Sequence, residues 1–173
     1  MPGVPLRLAV CVLACVLGAF VLASVAPAAK QRPAKKRAHL SLRERTHRLQ
    51  LLRIERRRNR IVVLAWRAVG APYRWGGNSP RGGFDCSGLT QWVYRHVGIS
   101  LPHYSGAQWR YGRRVSRRAL RPGDLLFFSG LGHVGIYLGH GALIHAPHPG
   151  ARVQFAHLRG WFASSFYAAR RLA

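Results

Sequence analysis

Charge in this chain is segregated, and the segregation decides where a core can form. Residues 30–60 carry 13 of the 28 Lys and Arg residues against only Glu44 and Glu55, a local balance of +11 over 31 residues. Self-repulsion at that density marks an arm, not a core. Residues 61–173 carry 14 Arg against Asp85 and Asp124, spread over a longer stretch rich in Gly, Trp, Tyr and Phe. That stretch can bury a core, so the 173 residues, 49% of them apolar, are expected to hold one folded domain. With four acids in the chain, paired-carboxylate glycosidase chemistry and carboxylate-held Mg²⁺ sites are excluded, because both need acids placed together. Phosphoryl transfer has little to work with. The net charge of +24 favours polyanionic partners without choosing among them.

The N-terminus reads as an export signal over 1–28: Arg7 supplies the positive start, 8–25 is apolar, and Ala26-Pro27-Ala28 offers small residues for cleavage. The exported chain would begin near Ala29. Three alternatives compete, the weakest being a buried core helix, since no pattern that would pack against it follows the run. An apolar run of 18 is near the lower limit of a membrane span, so the segment could remain as an anchor. Val12-Leu13-Ala14-Cys15 loosely resembles a lipidation site, although the run continues apolar for ten residues beyond Cys15. Export removes Cys11 and Cys15 and leaves Cys86 alone, without an internal disulfide. A lone exported thiol is either a small buried hydrophobe or a reactive group.

Residues 29–39, with Pro33 and three lysines, read as a tether. Ser41-Leu42-Arg43-Glu44 has capping-box spacing, and Leu42, Leu49 and Leu52 fall near one stripe of a basic helix over about 41–58. A second helical run over 61–69 closes at Gly70 and Pro72. Five Gly or Pro residues in 73–83 predict a loop. Leu89, Trp92, Val93 and Val97 then predict an amphipathic helix that starts at Asp85-Cys86 and ends at Gly98. Beyond the turn Pro122-Gly123-Asp124 the period changes to that of strands, over 125–128, 133–138, 142–146 and about 153–155. Helices first and an antiparallel sheet after make an α+β fold, with N-terminal helices and the thiol at a helix start packed on a small sheet.

That position gives Cys86 a chemical meaning. Asp85 can cap the helix, and the first-turn N–H groups and dipole favour the thiolate. Gly83 and Gly88 flank the site and would admit a substrate backbone. With no free carboxylate or lysine in this half, a base must be histidine, and His133 and His145 stand in strand-like surroundings. If 139–141 is a three-residue hairpin loop, Leu138 faces Ala142, paired positions sum to 280, and His145 lies opposite Gly135. His133 then shares the face of His145 as a diagonal neighbour, about 7–8 Å away at Cα. Nucleophile, base and a group that orients the base make a triad in the order Cys86, His133, His145. Packing alone leaves unexplained why two polar rings share one apolar face.

Six blocks in order carry a resemblance: Ala71-Pro72-Tyr73-Arg74-Trp75-Gly76-Gly77, Phe84-Asp85-Cys86-Ser87-Gly88-Leu89, Leu101-Pro102, Arg121-Pro122-Gly123-Asp124-Leu125, His133-Val134-Gly135-Ile136-Tyr137 and Ile144-His145-Ala146-Pro147. Together they resemble the NlpC family of papain-like cell-wall peptidases over 61 to about 170. The resemblance implies hydrolysis of peptidoglycan stem peptides, typically between D-glutamate and the following diamino acid, with no metal or cofactor. It implies Cys86 as nucleophile, His133 as base, His145 as the orienting member, Tyr73 beside the oxyanion site, and Asp85 and Ser87 as stem-peptide contacts. Pro102-His103-Tyr104-Ser105 departs from the family, which often has a basic then a small residue there, so His103 and Tyr104 are expected to line the cleft. The reading is then 1–28 signal, 29–60 basic tether and helix, and 61–173 catalytic domain, a monomer exported to the cell wall or envelope whose arm meets anionic polymers. Three rivals remain: a zinc site of Cys86, His133 and His145; an inactive wall-binding domain; and a nucleic-acid binder, which charge alone suggests and no recognition element supports.

Overall fold

The structure is a computed structural model that describes residues 41–173. The signal and its alternatives, and the tether over 29–39, lie outside the described residues.

Helix α1, Leu42–Ala68, runs 27 residues without interruption where two runs were expected. Asn59 and Arg60 join them, and neither breaks a helix that is already nucleated. The capping box is present: the Ser41 hydroxyl accepts from the Glu44 N–H at 3.3 Å, and the Glu44 carboxylate accepts from the Ser41 N–H at 2.7 Å. Only Ile61, Leu64, Ala65 and Ala68 of α1 are buried. Leu42, Leu49 and Leu52 are exposed, so the expected stripe meets no core.

The loop over 73–83 contains a short ladder of β1 (Asn78–Ser79) and β2 (Gly83–Phe84). Helix α2, Cys86–Arg95, follows at its expected start, and a single turn, α3, spans Ser105–Gln108. The strands are β3 (Arg113–Val115), β4 (Leu125–Phe128), β5 (His133–Gly139), β6 (Ala142–His145), β7 (Gln154–His157) and, after the turn α4 (Trp161–Ser164), β8 (Phe166–Arg171). They form one six-stranded antiparallel sheet in the order β3-β8-β4-β5-β6-β7. The expected sheet therefore gains β3 and β8, and β8 lies inside it beside β4.

Alternation along the strands gives the sheet two apolar faces. Leu125, Phe127, Val134, Ile136 and Ile144 pack against Ile61 and Leu64 of α1 and Leu89 and Val93 of α2. Leu126, Phe128, Tyr137, Leu143 and Ala169 make a second cluster with Phe162 and Phe166. Each fully buried large side chain contributes about 1.5–3 kcal/mol.

The β5–β6 hairpin differs from its expected form in an instructive way. Ile136 pairs with Ile144 and Tyr137 with Leu143, the expected register, but Gly139 pairs with Ala142 after a shift that leaves Leu138 as a bulge. The loop is thus His140-Gly141, whose φ values of 50° and 72° suit a two-residue turn with both central residues in the left-handed region. An unbroken ladder from that turn would set His145 opposite Ile136, on the wrong face. The bulge inserts the one residue that restores parity.

At the far end of β4, the fully buried Asp124 pairs with the nearly buried Arg171. Arg171 donates from Nε and Nη2 to the carboxylate, both at 2.7 Å, and Nη2 also donates to the Ala119 carbonyl at 2.7 Å. The carboxylate further accepts from the Arg121 N–H at 2.8 Å. This closes β8 onto the turn before β4, and Tyr94 of α2 donates its hydroxyl proton to Gly123 in the same turn. Asp124→Asn, which leaves the guanidinium buried without its counter-charge, is expected to cost about 3–5 kcal/mol in urea unfolding. A loss below about 1 kcal/mol would show that the pair does not fasten the sheet.

Candidate active site

Asp85 is extended at the N-cap of α2 and is nearly buried. Its Oδ1 accepts from the Gly88 N–H at 2.7 Å and from the Ser87 hydroxyl at 3.1 Å. Its Oδ2 accepts from the Gly76 N–H at 2.8 Å, and His103 Nε2 lies 2.9 and 3.0 Å from the two oxygens. One carboxylate therefore joins the helix that presents Cys86, the preceding loop and the segment around His103. Ser87 is buried, its hydroxyl turned to that carboxylate.

The two glycines beside the thiol serve the protein's own backbone instead of the expected substrate approach. A Cβ on Gly88 would overlap the Gly77 carbonyl oxygen, and Gly83 has φ +86° with the Pro72 carbonyl 2.8 Å from where a Cβ would stand. Gln108 escaped the sequence reading altogether. It is fully buried, accepts from the Thr90 hydroxyl at 2.7 Å, and donates to the carbonyls of Ser87 at 2.9 Å and Pro102 at 2.8 Å. Its only signal was an amide at the end of α3, a helix too short to show periodicity.

A cleft of about 540 Å³ opens over these residues, lined by Tyr73, Trp75, Asp85, Cys86, His103 and Tyr104 and by 129–132. No Arg or Lys lines it, despite the net charge of +24. Ser129, Gly130 and Leu131 all have positive φ, at 48°, 59° and 78°. Such strain in non-glycine residues persists only where surroundings impose it; here the Leu131 carbonyl accepts from the Ser105 hydroxyl at 2.7 Å.

The half-buried Cys86 has the Val134 N–H as a polar neighbour, along with the N–H groups of its own helix start. Burial, with Asp85 adding to it, raises the thiol above its ordinary range, and these N–H groups only partly oppose the rise. The thiolate expected from the helix dipole is therefore not favoured, because desolvation is the larger effect. Burial raises the Tyr73 phenol too, followed by the charges of Cys86 and Asp85, which marks it as a neighbour of both.

His133 and His145 meet, with Nε2 of His133 3.0 Å from Nδ1 of His145 and the rings nearly perpendicular at 89°. They lie on the face that holds Phe128 and Phe162, whose rings are 6.1 Å from His133 and 4.9 Å from His145 respectively. The thiol meets the strand at Val134, the residue after His133, and the two histidines share one face of the hairpin. Burial lowers His133 to about 4; burial, then the charges of His133 and His148, lowers His145 to about 3. Both rings are neutral near pH 7. His145 Nε2 is buried with no hydrogen-bond partner, and the ring lines a cavity of about 370 Å³ that His148 and Gln154 share. Among the described residues no three His, Cys, Asp or Glu side chains are grouped to hold a metal ion.

The chain is similar to known proteins over this same region. It is 46% identical over 104 residues to a probable endopeptidase p60 of Listeria monocytogenes, an alignment covering 58% of this chain and 21% of that protein. It is 42% identical over 105 residues to the peptidoglycan endopeptidase RipA of Mycobacterium tuberculosis, covering 53% and 22%. The aligned part is thus about a fifth of each relative's length. Among solved structures, the NlpC/p60 domain of the peptidoglycan hydrolase SagA superposes with a TM-score of 0.60 at 40% identity, covering 66% of this chain and 97% of that one. The peptidoglycan hydrolase RipB of Mycobacterium tuberculosis superposes with a TM-score of 0.63 at 29% identity, covering 70% and 67%. The pattern of one family matches residues 70–171, which hold the whole sheet, the thiol helix and both histidines, and on that span this chain belongs to the NlpC/P60 family.

Proposed function

We propose that the chain is an exported cysteine peptidase that hydrolyses peptidoglycan stem peptides, at the bond between D-glutamate and the diamino acid, through Cys86, His133 and His145. The observation that carries this reading is the 3.0 Å contact between His133 Nε2 and His145 Nδ1, on the strand whose Val134 N–H meets a thiol at a helix start. If His133 Nε2–H donates to His145 Nδ1, Nδ1 of His133 keeps a lone pair and is free to take a proton. Because burial holds the imidazole neutral and the thiol protonated, the resting pair is thiol and imidazole. Attack then transfers the S–H proton to His133 as sulfur bonds the amide carbon. The imidazolium passes that proton to the leaving amine, and a water, deprotonated by the same ring, releases the acyl group from the thioester. Tyr73, next to the sulfur, is suited to the developing oxyanion.

Asp85 is the one carboxylate of a cleft without Arg or Lys, a lining that favours an ammonium-bearing peptide over a polyanion. It and Ser87 contact the stem peptide in this reading, with His103 and Tyr104 on the cleft wall. The basic arm over 29–60 holds the enzyme near anionic envelope polymers, and signal cleavage near Ala29 releases it as a monomer into the wall.

Cys86→Ala is expected to lower hydrolysis of purified muropeptides by roughly 10³-fold or more while leaving the fold intact, followed by mass spectrometry of the fragments. Loss of activity with a chelator but not with a thiol alkylator would replace this reading with the zinc one. His133→Ala should be equally inactive. His145→Gln, which keeps a hydrogen-bond acceptor, should stay within about 10–100-fold of the parent, and His145→Ala should fall further. Wild-type activity in His145→Ala would move the third role to another group, with His148 the first to test.

The protonation states make a separate expectation. The acid limb of kcat/KM should lie near pH 4, where His133 gains its proton. Alkylation of Cys86 by iodoacetamide should be slow at neutral pH and accelerate steadily into the alkaline range. A rate already level between about pH 5 and 8 would mean a resting thiolate–imidazolium pair and would contradict the neutral one. For export, N-terminal sequencing of the protein from its native envelope should read from near Ala29; retained Met1 on membranes would mean an anchor.

A further inference from the structure

Away from the cleft, α1, β3, β8 and the turn before β4 line an open pocket of about 470 Å³ shared by Arg57, Arg58, Arg113, Arg121 and Arg171. Four separate segments supply them. Among the described residues, the carboxylate that bonds within this group is Asp124, committed to Arg171 and to the Arg121 N–H. Arg58 bears the consequence. Its Nε and Nη2 are buried without a hydrogen-bond partner. Burial, then the charge of Arg171, and less strongly those of Arg121 and Arg113, lower its proton affinity against the opposing pull of Asp124.

A buried charged donor without a partner is costly, and like charges gathered around it add to the cost. Arg57, Arg113 and Arg121 are exposed and shed part of that cost into water, whereas Arg58 and Arg171 are held inward. The arrangement becomes favourable if an anion with several acceptor oxygens enters, since each guanidinium fork matches an oxyanion edge. A single carboxylate offers one charge and two oxygens to a cluster of five guanidiniums. A phosphate monoester offers more of each, and a phosphodiester offers as much as a carboxylate but repeated along a polymer or a lipid surface. The wall of the pocket is not wholly polar, for Leu51, Ile54 and Leu172 also line it, and its volume exceeds what a bare ion fills.

We infer that this pocket is a binding site for an organic phosphate, the phosphate on the arginines and its carbon-bearing neighbour on the apolar wall. The source is a phosphate-bearing envelope polymer or a phospholipid headgroup, which share that chemistry. The site is independent of the hydrolase reading. It lies at the start of β4, whereas the cleft loop over 129–132 leaves its end, a separation of about 13 Å along the strand. α1, otherwise packed only through its last turns, thereby helps build a site together with the sheet.

The test uses the full exported chain and inorganic phosphate first, by thermal unfolding and calorimetric titration against chloride at equal ionic strength. The wild type should show a saturable rise in Tm with phosphate, as a ligand of the native state must produce. The Arg58→Met, Arg113→Gln double variant should bind at least about tenfold more weakly. Without phosphate it should melt no lower than wild type, because mutual repulsion has been removed. The same two proteins are then tested on poly(glycerol phosphate) and on phosphatidylglycerol against phosphatidylcholine vesicles. Retention by the polymer, lost in the variant, assigns a wall source; retention by anionic vesicles alone assigns a headgroup. An identical phosphate response in both proteins, reflecting general salting, overturns the site. So does a variant that melts lower in phosphate-free buffer while the wild type ignores phosphate, since Arg58 would then be a packing residue.

Discussion

The Asp85 carboxylate is the interaction on which the candidate site depends. It terminates α2 at Gly88, fixes the preceding loop at Gly76 and meets His103 across the cleft. Cys86 is the next residue, so the position of the sulfur follows from the same set of bonds. The close approach that makes this possible is steric as well as polar: Gly88 packs directly on the Gly77 carbonyl, and Asp85 N–H donates to that same oxygen at 3.0 Å. A role for Asp85 as cap and a role toward substrate are compatible, because the cap uses one edge of the carboxylate while the residue still lines the cleft.

Desolvation, more than any nearby charge, sets the protonation of the thiol and both imidazoles. The two histidines lie among Phe128, Phe162 and Trp161, and a ring in such surroundings is neutral unless a carboxylate faces it. Their partner is another neutral ring. An imidazole in the third position can accept one hydrogen bond without adding negative charge, so it orients His133 without raising its basicity as a carboxylate would. This arrangement suits a proton transfer that accompanies attack instead of preceding it.

Much of this was legible in the sequence, and what was not has identifiable causes. The thiol helix was readable because its cap, its apolar spacing and its terminal Gly98 agree with one another. The histidine register was reached by a loop of three residues, whereas the molecule uses a loop of two and a bulge at Leu138. Parity was the same, so the faces were right for a different reason. β8 was missed because Phe166-Tyr167-Ala168-Ala169-Arg170-Arg171 shows no alternation. Arg171 points inward only because Asp124 waits there, and Arg170 lies over the Trp109 ring, 3.8 Å from its centroid. The thiolate expectation failed for another reason: sequence shows a helix start but not the depth at which it is buried.

Acid scarcity links the fold, the cleft and the basic surface. Glu44 closes the capping box, Asp85 caps the thiol helix, and Asp124 holds Arg171. Three of the four acids are thus bound to backbone N–H groups or to one buried guanidinium, and little negative charge is left to balance 25 arginines. In a chain of ordinary composition, the residues around Arg58 would be expected to include a second carboxylate. Here β3, α1 and β8 bring arginines together around Asp124, and the proposed anion would supply further countercharge. The cleft is spared the same excess because no Arg or Lys lines it, which leaves Asp85 to set its sign locally. Segregated charge, the feature that first separated arm from core, therefore also separates a surface suited to anions from a cleft suited to a peptide.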